Sequence, residues 1–233
     1  MFKHRLYKKE LLDEAVIDKA DLYQNLKELE TINSKLGGHK ISIDGVAAIV
    51  TDKSKQYNLI DIGCGGGDSL KALDIWANSK DYQLSLNGID LLPDCIAYAQ
   101  KNCAPYPEIT FTCDDFRTVF SQAKKIDIVH ASLFCHHFTE KEIIEFILLC
   151  SNNGALFIIN DLERNPIAYY SIKFLTWLFS KSVMVKNDAP LSVLRRFKKT
   201  EWRSILQQAG IKKYTIQNKW AFRHLITIYP NEQ

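Results

Sequence analysis

The stretch Asn58-Leu59-Ile60-Asp61-Ile62-Gly63-Cys64-Gly65-Gly66-Gly67-Asp68 decides the fold. An apolar run ends in an acid, and a glycine-rich turn follows at once. The next segment carries Leu70, Leu73, Trp76 and Ala77 at helical spacing. Strand, glycine turn and helix therefore follow one another. Such a turn lets a ligand press against bare backbone, and a helix start offers free N–H groups.

Two ligand classes use this arrangement. A dinucleotide needs G-x-G-x-x-G, because its pyrophosphate sits on the helix N-terminus. Gly63 and Gly65 fit that pattern, but the third glycine falls at Asp68. An acid at Asp61 would also repel a pyrophosphate. The same acid suits a ligand that is cationic there, such as S-adenosylmethionine, which carries an ammonium and a sulfonium and no phosphate. Asp61-Ile62-Gly63-Cys64-Gly65-Gly66-Gly67 resembles motif I of the class I S-adenosylmethionine-dependent methyltransferases. The resemblance implies that Gly63, Gly65 and Gly67 line the methionine half of the cofactor, with Cys64 in the same turn and Asp61 near the amino group. The plainer alternative is an ordinary tight turn.

Further along, Leu84 to Asp90 reads as a second strand ending in an acid, 29 positions after Asp61. A carboxylate's two oxygens suit the vicinal diol of a ribose, so Asp90 is expected to bind an adenosine ligand, with Leu91 beside it. Pro93 opens the following helix. Ile109 to Cys113 reads as the third strand, and Asp114-Asp115-Phe116 follows. In the family an acid at this point accepts a bond from the adenine amino group. Asp114 matches that position best, Asp115 is the alternative, and Phe116 either stacks on the ring or belongs to the core.

Ile126 to Ser132 is the fourth strand, and Leu133-Phe134-Cys135-His136-His137-Phe138 leaves its end. In open α/β sheets ligands bind beyond the carboxyl ends of strands, near the switch in strand order. Ser132 is therefore expected against the cofactor and Phe134 against the acceptor. The spacing from strand to His136-His137 resembles motif IV of the small-molecule methyltransferases of the ubiquinone and menaquinone type. Either histidine could serve as a base, since imidazole titrates near neutrality. His130, mid-strand, reads as a satisfied core histidine.

Thr139 and Glu142 fit a capping box. Ala155 to Asn160 is the fifth strand, and Asp161 and Arg164 leave it at the site end, placed to hold a polar end of the acceptor. Ile167 to Phe179 is apolar and aromatic on nearly every side, broken by Lys173, and must be covered. A lid over the acceptor, with Tyr169 and Tyr170 contributing, is the first expectation. A structural insertion is the second, and a dimer interface or membrane surface the third. Thr200 is placed to cap a last helix, and two strands over 211–217 and 222–229 end the chain. A terminal hairpin after five βα units is the class I methyltransferase layout.

Before the first strand, Leu22, Leu26, Leu29, Ile32 and Leu36 mark one helix, with Asp18 or Asp21 as its cap and Gly37-Gly38 as its stop. A second helix is expected over 41–51. In the family such helices often cover the active site; here they either do so or only pack on the sheet. Ile32-Asn33, Leu36-Gly37-Gly38, His136-His137, Asn160-Asp161-Leu162 and Asp188-Ala189-Pro190-Leu191-Ser192 together look like the methyltransferases found beside type III polyketide synthases.

With 233 residues, 46% hydrophobic and 24% charged, the chain is expected to form one methyltransferase domain. That domain divides into an N-terminal helical cap (1–56), a cofactor-binding core (57–161), a helical lid insertion (162–199) and a last helix with hairpin (200–233). A net charge of +3 gives no case for a nucleic-acid partner. The basic run Arg195-Arg196-Phe197-Lys198-Lys199 reads as a solvated helix start. The six cysteines form no C-x-x-C and read as reduced thiols of a cytoplasmic protein. No signal peptide or membrane span is expected, nor is a metal required.

The expected architecture is thus a Rossmann-like, doubly wound α/β sheet of seven strands with an antiparallel last strand. The expected reaction is methyl transfer from S-adenosylmethionine to a small aromatic, phenolic or quinone-like acceptor, by a monomer or homodimer. O-methylation is the first expectation. C-methylation, a dinucleotide-dependent oxidoreductase and a non-catalytic binding member are the alternatives.

Overall fold

A computed structural model describes residues 2–13, 17–122 and 125–231. Seven strands form one sheet: β1 (Gln56–Ile62), β2 (Gln83–Asp90), β3 (Ile109–Cys113), β4 (Ile128–Ser132), β5 (Leu156–Leu162), β6 (Tyr214–Lys219) and β7 (Arg223–Ile228). Their order is β3-β2-β1-β4-β5-β7-β6. The first five are parallel, β7 runs antiparallel to β5, and β6 pairs antiparallel with β7. The expected sheet and its antiparallel last strand are both present. The switch in strand order falls where β1 is flanked by β2 on one side and β4 on the other, with Asp61 opposite Gly88 and His130.

Strand side chains alternate between faces, and the two faces bury different helices. Ile60, Ile62, Val129, Phe157 and Ile159 pack with Phe116, Phe146 and Trp202 of α5 (Phe116–Gln122), α6 (Glu140–Asn152) and α9 (Lys199–Gln208). Leu59, Ile128 and Ile158 pack on the opposite face with Ile41, Leu70 and Ile96 of α2 (Gly38–Ala47), α3 (Asp68–Ser79) and α4 (Pro93–Asn102). Asp61 and His130 share this second face with Leu59 and Ile128, which directs both toward α2.

Ahead of the sheet, α1 (Lys19–Lys35) is capped by Asp18, whose carboxylate accepts from the Ala20 and Asp21 N–H groups. Gly37, at φ +74°, ends it, and α2 begins at Gly38, three residues earlier than its apolar pattern suggests. Residues 14–16 of the expected N-terminal cap lie outside the described residues. After β5 come two helices, α7 (Pro166–Phe179) and α8 (Val183–Arg195), which pack on each other. Lys198, not Thr200, is the cap residue of α9; its N–H donates to the Glu201 carboxylate, and Thr200 sits inside the first turn. All six cysteines are free thiols, and Cys113 alone is exposed. Among the described residues no helix is long and apolar enough to cross a membrane.

Candidate active site

The glycine turn between β1 and α3 is built on positive φ angles: +65° at Gly63, +51° at Gly65 and +74° at Gly67. A side chain is strained there. The Gly63 and Cys64 N–H groups donate to the Ile89 carbonyl at 2.8 and 3.0 Å, tying the turn to β2. A Cβ on Gly63 would fall 2.1 Å from the Phe134 ring, so the bare backbone is what admits that aromatic. Gly67 instead closes the start of α3 against Cys103 and Phe111.

A cavity of about 450 Å³ opens at the carboxyl ends of the central strands. Asp61, Gly63, Cys64, Gly65, Asp90, Leu91, Asp114, Asp115, Phe116, Ser132, Phe134 and His137 all line it. Gly67, His136, Asp161, Arg164, Tyr169 and Tyr170 are not among its lining residues. Leu12, Asp13, Leu26, Leu29 and Asn33 close it from the N-terminal side.

One wall is acidic. Asp90 accepts from the Gly65 and Leu92 N–H groups, each at 3.0 Å, one on each oxygen. A carboxylate offers about four lone-pair sites, so further acceptor capacity remains. Burial pushes the Asp90 carboxyl up, against the pull of those N–H groups. Asp61 is only 2% exposed and is met by His130 Nδ1 at 2.7 Å. Its carboxyl is likewise pushed up by burial, against His130. His130 Nε2 reaches Ser42 Oγ at 2.8 Å, Asn160 donates to the same hydroxyl, and Arg223 bridges Asn160 to Asn33. His130 is thus the satisfied core histidine its mid-strand position suggests. Asp115 pairs with Arg117 at 3.1 Å, and its N–H donates to the Asp114 carboxylate. Phe116 is buried and also lines the cavity, its ring set edge-on to Phe134 and Phe138.

The other wall is ion-paired. His137 faces the cavity, and its Nδ1 lies 2.8 Å from Asp13 Oδ1. Arg195 holds the other Asp13 oxygen at 2.6 Å and approaches Glu10 at 3.0 Å. Burial and the neighbouring His136 push the His137 imidazole down; Asp13 and Glu10 partly offset this. Burial alone would raise the Asp13 carboxyl, but His137 and Arg195 outweigh it and hold Asp13 well below the usual carboxylate range. His136 lies beneath, buried, with Nε2 3.3 Å from Glu10 and Nδ1 3.9 Å from Asp161. Glu10, His136 and His137 could offer a metal ion one ligand atom each, all within 4.8 Å. Arg195 already neutralises Glu10, the one acid of that trio.

The residues expected to hold the acceptor's polar end turn inward instead. Asp161 is buried and paired with Arg196. Arg164 donates to the Arg196 carbonyl at 2.6 Å and to Glu201 at 2.5 Å. Tyr169 and Tyr170 pack around Phe2. The basic run is not a solvated helix start: Arg195 and Arg196, at 6% and 3% exposed, neutralise Asp13, Glu10 and Asp161.

Glu10, Asp13 and Arg195 were missed because they bracket the chain, and no local pattern links them to His137. One signal was available. The Asp188-to-Ser192 stretch supplies Asp188, which accepts from the Leu11 and Leu12 N–H groups at 2.9 and 3.0 Å and so seats the N-terminal segment. It also supplies Ser192, whose hydroxyl accepts from Arg196 at 3.1 Å.

Residues 59–152 match the methyltransferase domain family. Malonyl-[acyl-carrier protein] O-methyltransferase 1 of Ilyobacter polytropus is 28% identical over 120 residues, 51% of this chain and 42% of that protein. The chain therefore spans less than half the length of that relative. Demethylmenaquinone methyltransferase of Chlorobaculum parvum is 26% identical over 170 residues, 68% of this chain and 67% of that one. The plantazolicin methyltransferase BpumL, solved in complex with SAH, superposes with a TM-score of 0.65 at 17% identity, covering 91% of this chain and 95% of that one. Domain match and sheet order agree: residues 59–152 match a methyltransferase domain, and the seven-stranded sheet that contains them has the Rossmann-like α/β fold of the SAH-bound neighbour.

Proposed function

We propose that the protein transfers the methyl group of S-adenosylmethionine to an oxygen of a small aromatic, phenolic or quinone-like acceptor. The observation that carries this is the cavity's division of labour: Asp61, Asp90 and bare glycine backbone on one wall, one histidine from the other. The residues present fit the cofactor. Gly65 leaves backbone open to the cavity, Asp90 keeps acceptor capacity for a diol, and Asp61 is an acid facing a cationic group. When bound, the sulfonium supplies an activated methyl group.

The chain's own part is alignment and deprotonation. Reaction needs the acceptor oxygen in line with the methyl–sulfur bond at about 3 Å. With the sulfonium supplying the methyl group and its sulfur as the leaving group, His137 accepts the proton that the phenolic oxygen gives up. That imidazole is neutral at neutral pH because burial holds it there, and Asp13 orients it and stabilises the cation that forms. Phe134, Phe138 and Leu12 give the acceptor an apolar surround. In this reading the chain acts as one domain, closed by its N-terminal segment rather than by residues 162–199. One curated relative is named for O-methylation, which supports oxygen as the atom, and the other for demethylmenaquinone, which supports a quinone-like acceptor.

Calorimetric titration with S-adenosylhomocysteine and, separately, NAD(H) tests the cofactor on wild type and Asp90→Ala. Micromolar binding of the homocysteine form alone is expected, weakened about 10-fold or more by the variant, on the scale of a lost charge-assisted bond. Binding of NAD(H) instead, or of neither, would overturn the reading.

A further inference from the structure

We propose that α7 and its junction with α8 dock the protein on an anionic lipid-bilayer surface. Ile167, Tyr170, Phe174 and Trp177 recur at helical spacing along one face of α7, and Phe179 and Val183 continue it across the junction. These six side chains are between 59% and 73% exposed. Isolated apolar residues on a surface are ordinary; a contiguous aromatic face on one helix marks an interaction surface. The face does not serve the cavity, since no residue of α7 lines it.

Charge selects the occupant. From Asn165 to Asn187 there is no acid, while Lys173, Lys181 and Lys186 are exposed. Phe2 packs on Tyr169 and Tyr170 at 5.6 and 6.3 Å, which brings the N-terminal segment with its exposed Lys3 to the same helix. Glu28 of α1 meets the junction, where it accepts from the Ser180 hydroxyl and the Lys181 and Ser182 N–H groups, so the exposed charges carried by the segment itself are cationic. Such an aromatic face fits an anionic headgroup layer, with Trp177 and Tyr170 suited to the interface. Insertion across a bilayer is ruled out by length: the 14 residues of α7 span about 21 Å at 1.5 Å each, against about 30 Å of hydrocarbon. The helix therefore lies on the surface. This proposal does not depend on the methyl-transfer reading, since its readout is lipid binding.

Co-sedimentation of the full chain with vesicles tests it, using phosphatidylcholine alone and phosphatidylcholine with phosphatidylglycerol, at low and high salt. Binding to the anionic vesicles is expected, weakened by salt. Lys173→Glu and Lys181→Glu should each weaken it about fivefold or more, following the attraction of one basic residue to an anionic surface. Phe174→Ser with Trp177→Ser should abolish it while leaving S-adenosylhomocysteine affinity, a check on folding, unchanged. Three results would overturn the proposal: no binding by the wild type, equal binding to both vesicle types, or binding indifferent to the serine pair. So would a wild-type dimer in light scattering that the serine pair converts to a monomer, which would assign the face to a second copy.

Discussion

The two walls of the cavity hold their carboxylates differently. On the glycine-turn wall, Asp61 meets a histidine and Asp90 meets backbone N–H groups; among the described residues neither has an arginine or lysine partner. On the histidine wall, Asp13 and, behind it and off the cavity surface, Glu10 and Asp161 are each within reach of Arg195 or Arg196. A buried acid without a cation pays for its own desolvation, and burial accordingly pushes Asp61 and Asp90 up. Such a wall is prepared for a cationic, diol-bearing ligand. The opposite wall is closed on itself, and only His137 presents unspent chemistry to the cavity.

The largest test of this contrast is stability. Asp161→Ala strands Arg196 without its buried partner and should cost about 3–5 kcal/mol in urea unfolding. Asp61→Asn removes a charge that burial disfavours and should cost about 1 kcal/mol or less, the net of one hydrogen bond. Equal costs would erase the distinction. The pH dependences also oppose. Arg196 and His136 outweigh burial and hold Asp161 below the usual carboxylate range, so its contribution is present above the unfolded pKa and is lost as pH falls through the folded one. Asp61 is raised, so its contribution favours folding at low pH and is lost as pH rises through its folded value.

His137→Gln comes next. It keeps hydrogen-bonding capacity toward Asp13 but cannot accept a proton, so kcat should fall by about 100-fold or more. S-adenosylhomocysteine affinity should hold within about twofold, a change worth less than 0.5 kcal/mol or so. His136→Gln is the internal control. His136 lies beneath His137 without lining the cavity, so a larger loss of kcat there, with folding intact, would move the base to His136.

The acidic wall was legible in the sequence because its signals are local. A strand end, a glycine turn and an acid each report on neighbouring residues, and Asp61, Asp90, Asp114 and Phe116 line one cavity as that grammar requires. The paired wall was not. Asp161 lies near the end of β5 and Arg164 follows it at the site end, which reads as facing a ligand, but their direction is set by Arg196 and Glu201, more than 30 positions on. The basic run concealed this, because contiguous charges ordinarily mark solvent and these arginines point inward. The Asp13–His137 contact spans 124 positions and depends on Asp188 seating the N-terminal segment. Composition and periodicity carry no trace of such long-range pairing, whereas the aromatic excess of α7 was visible and only its direction was not.

The smallest expected effect sharpens the comparison most, because it asks whether Asp13 does more than hold the wall together. Asp13 raises the His137 imidazole against burial and against His136. Asp13→Asn preserves an acceptor for Nδ1–H but removes the negative charge. The His137 pKa should therefore fall further, and the acid limb of kcat/KM should move to lower pH than in the wild type. At neutral pH the weakened base should cost a few-fold in kcat, about 1 kcal/mol or less. A purely structural role predicts lost stability with the acid limb unmoved, and that outcome would return Asp13 to the company of Asp161. A limb displaced downward, with S-adenosylhomocysteine affinity unchanged, would show the paired wall reaching the chemistry through one carboxylate supplied by the N-terminal segment.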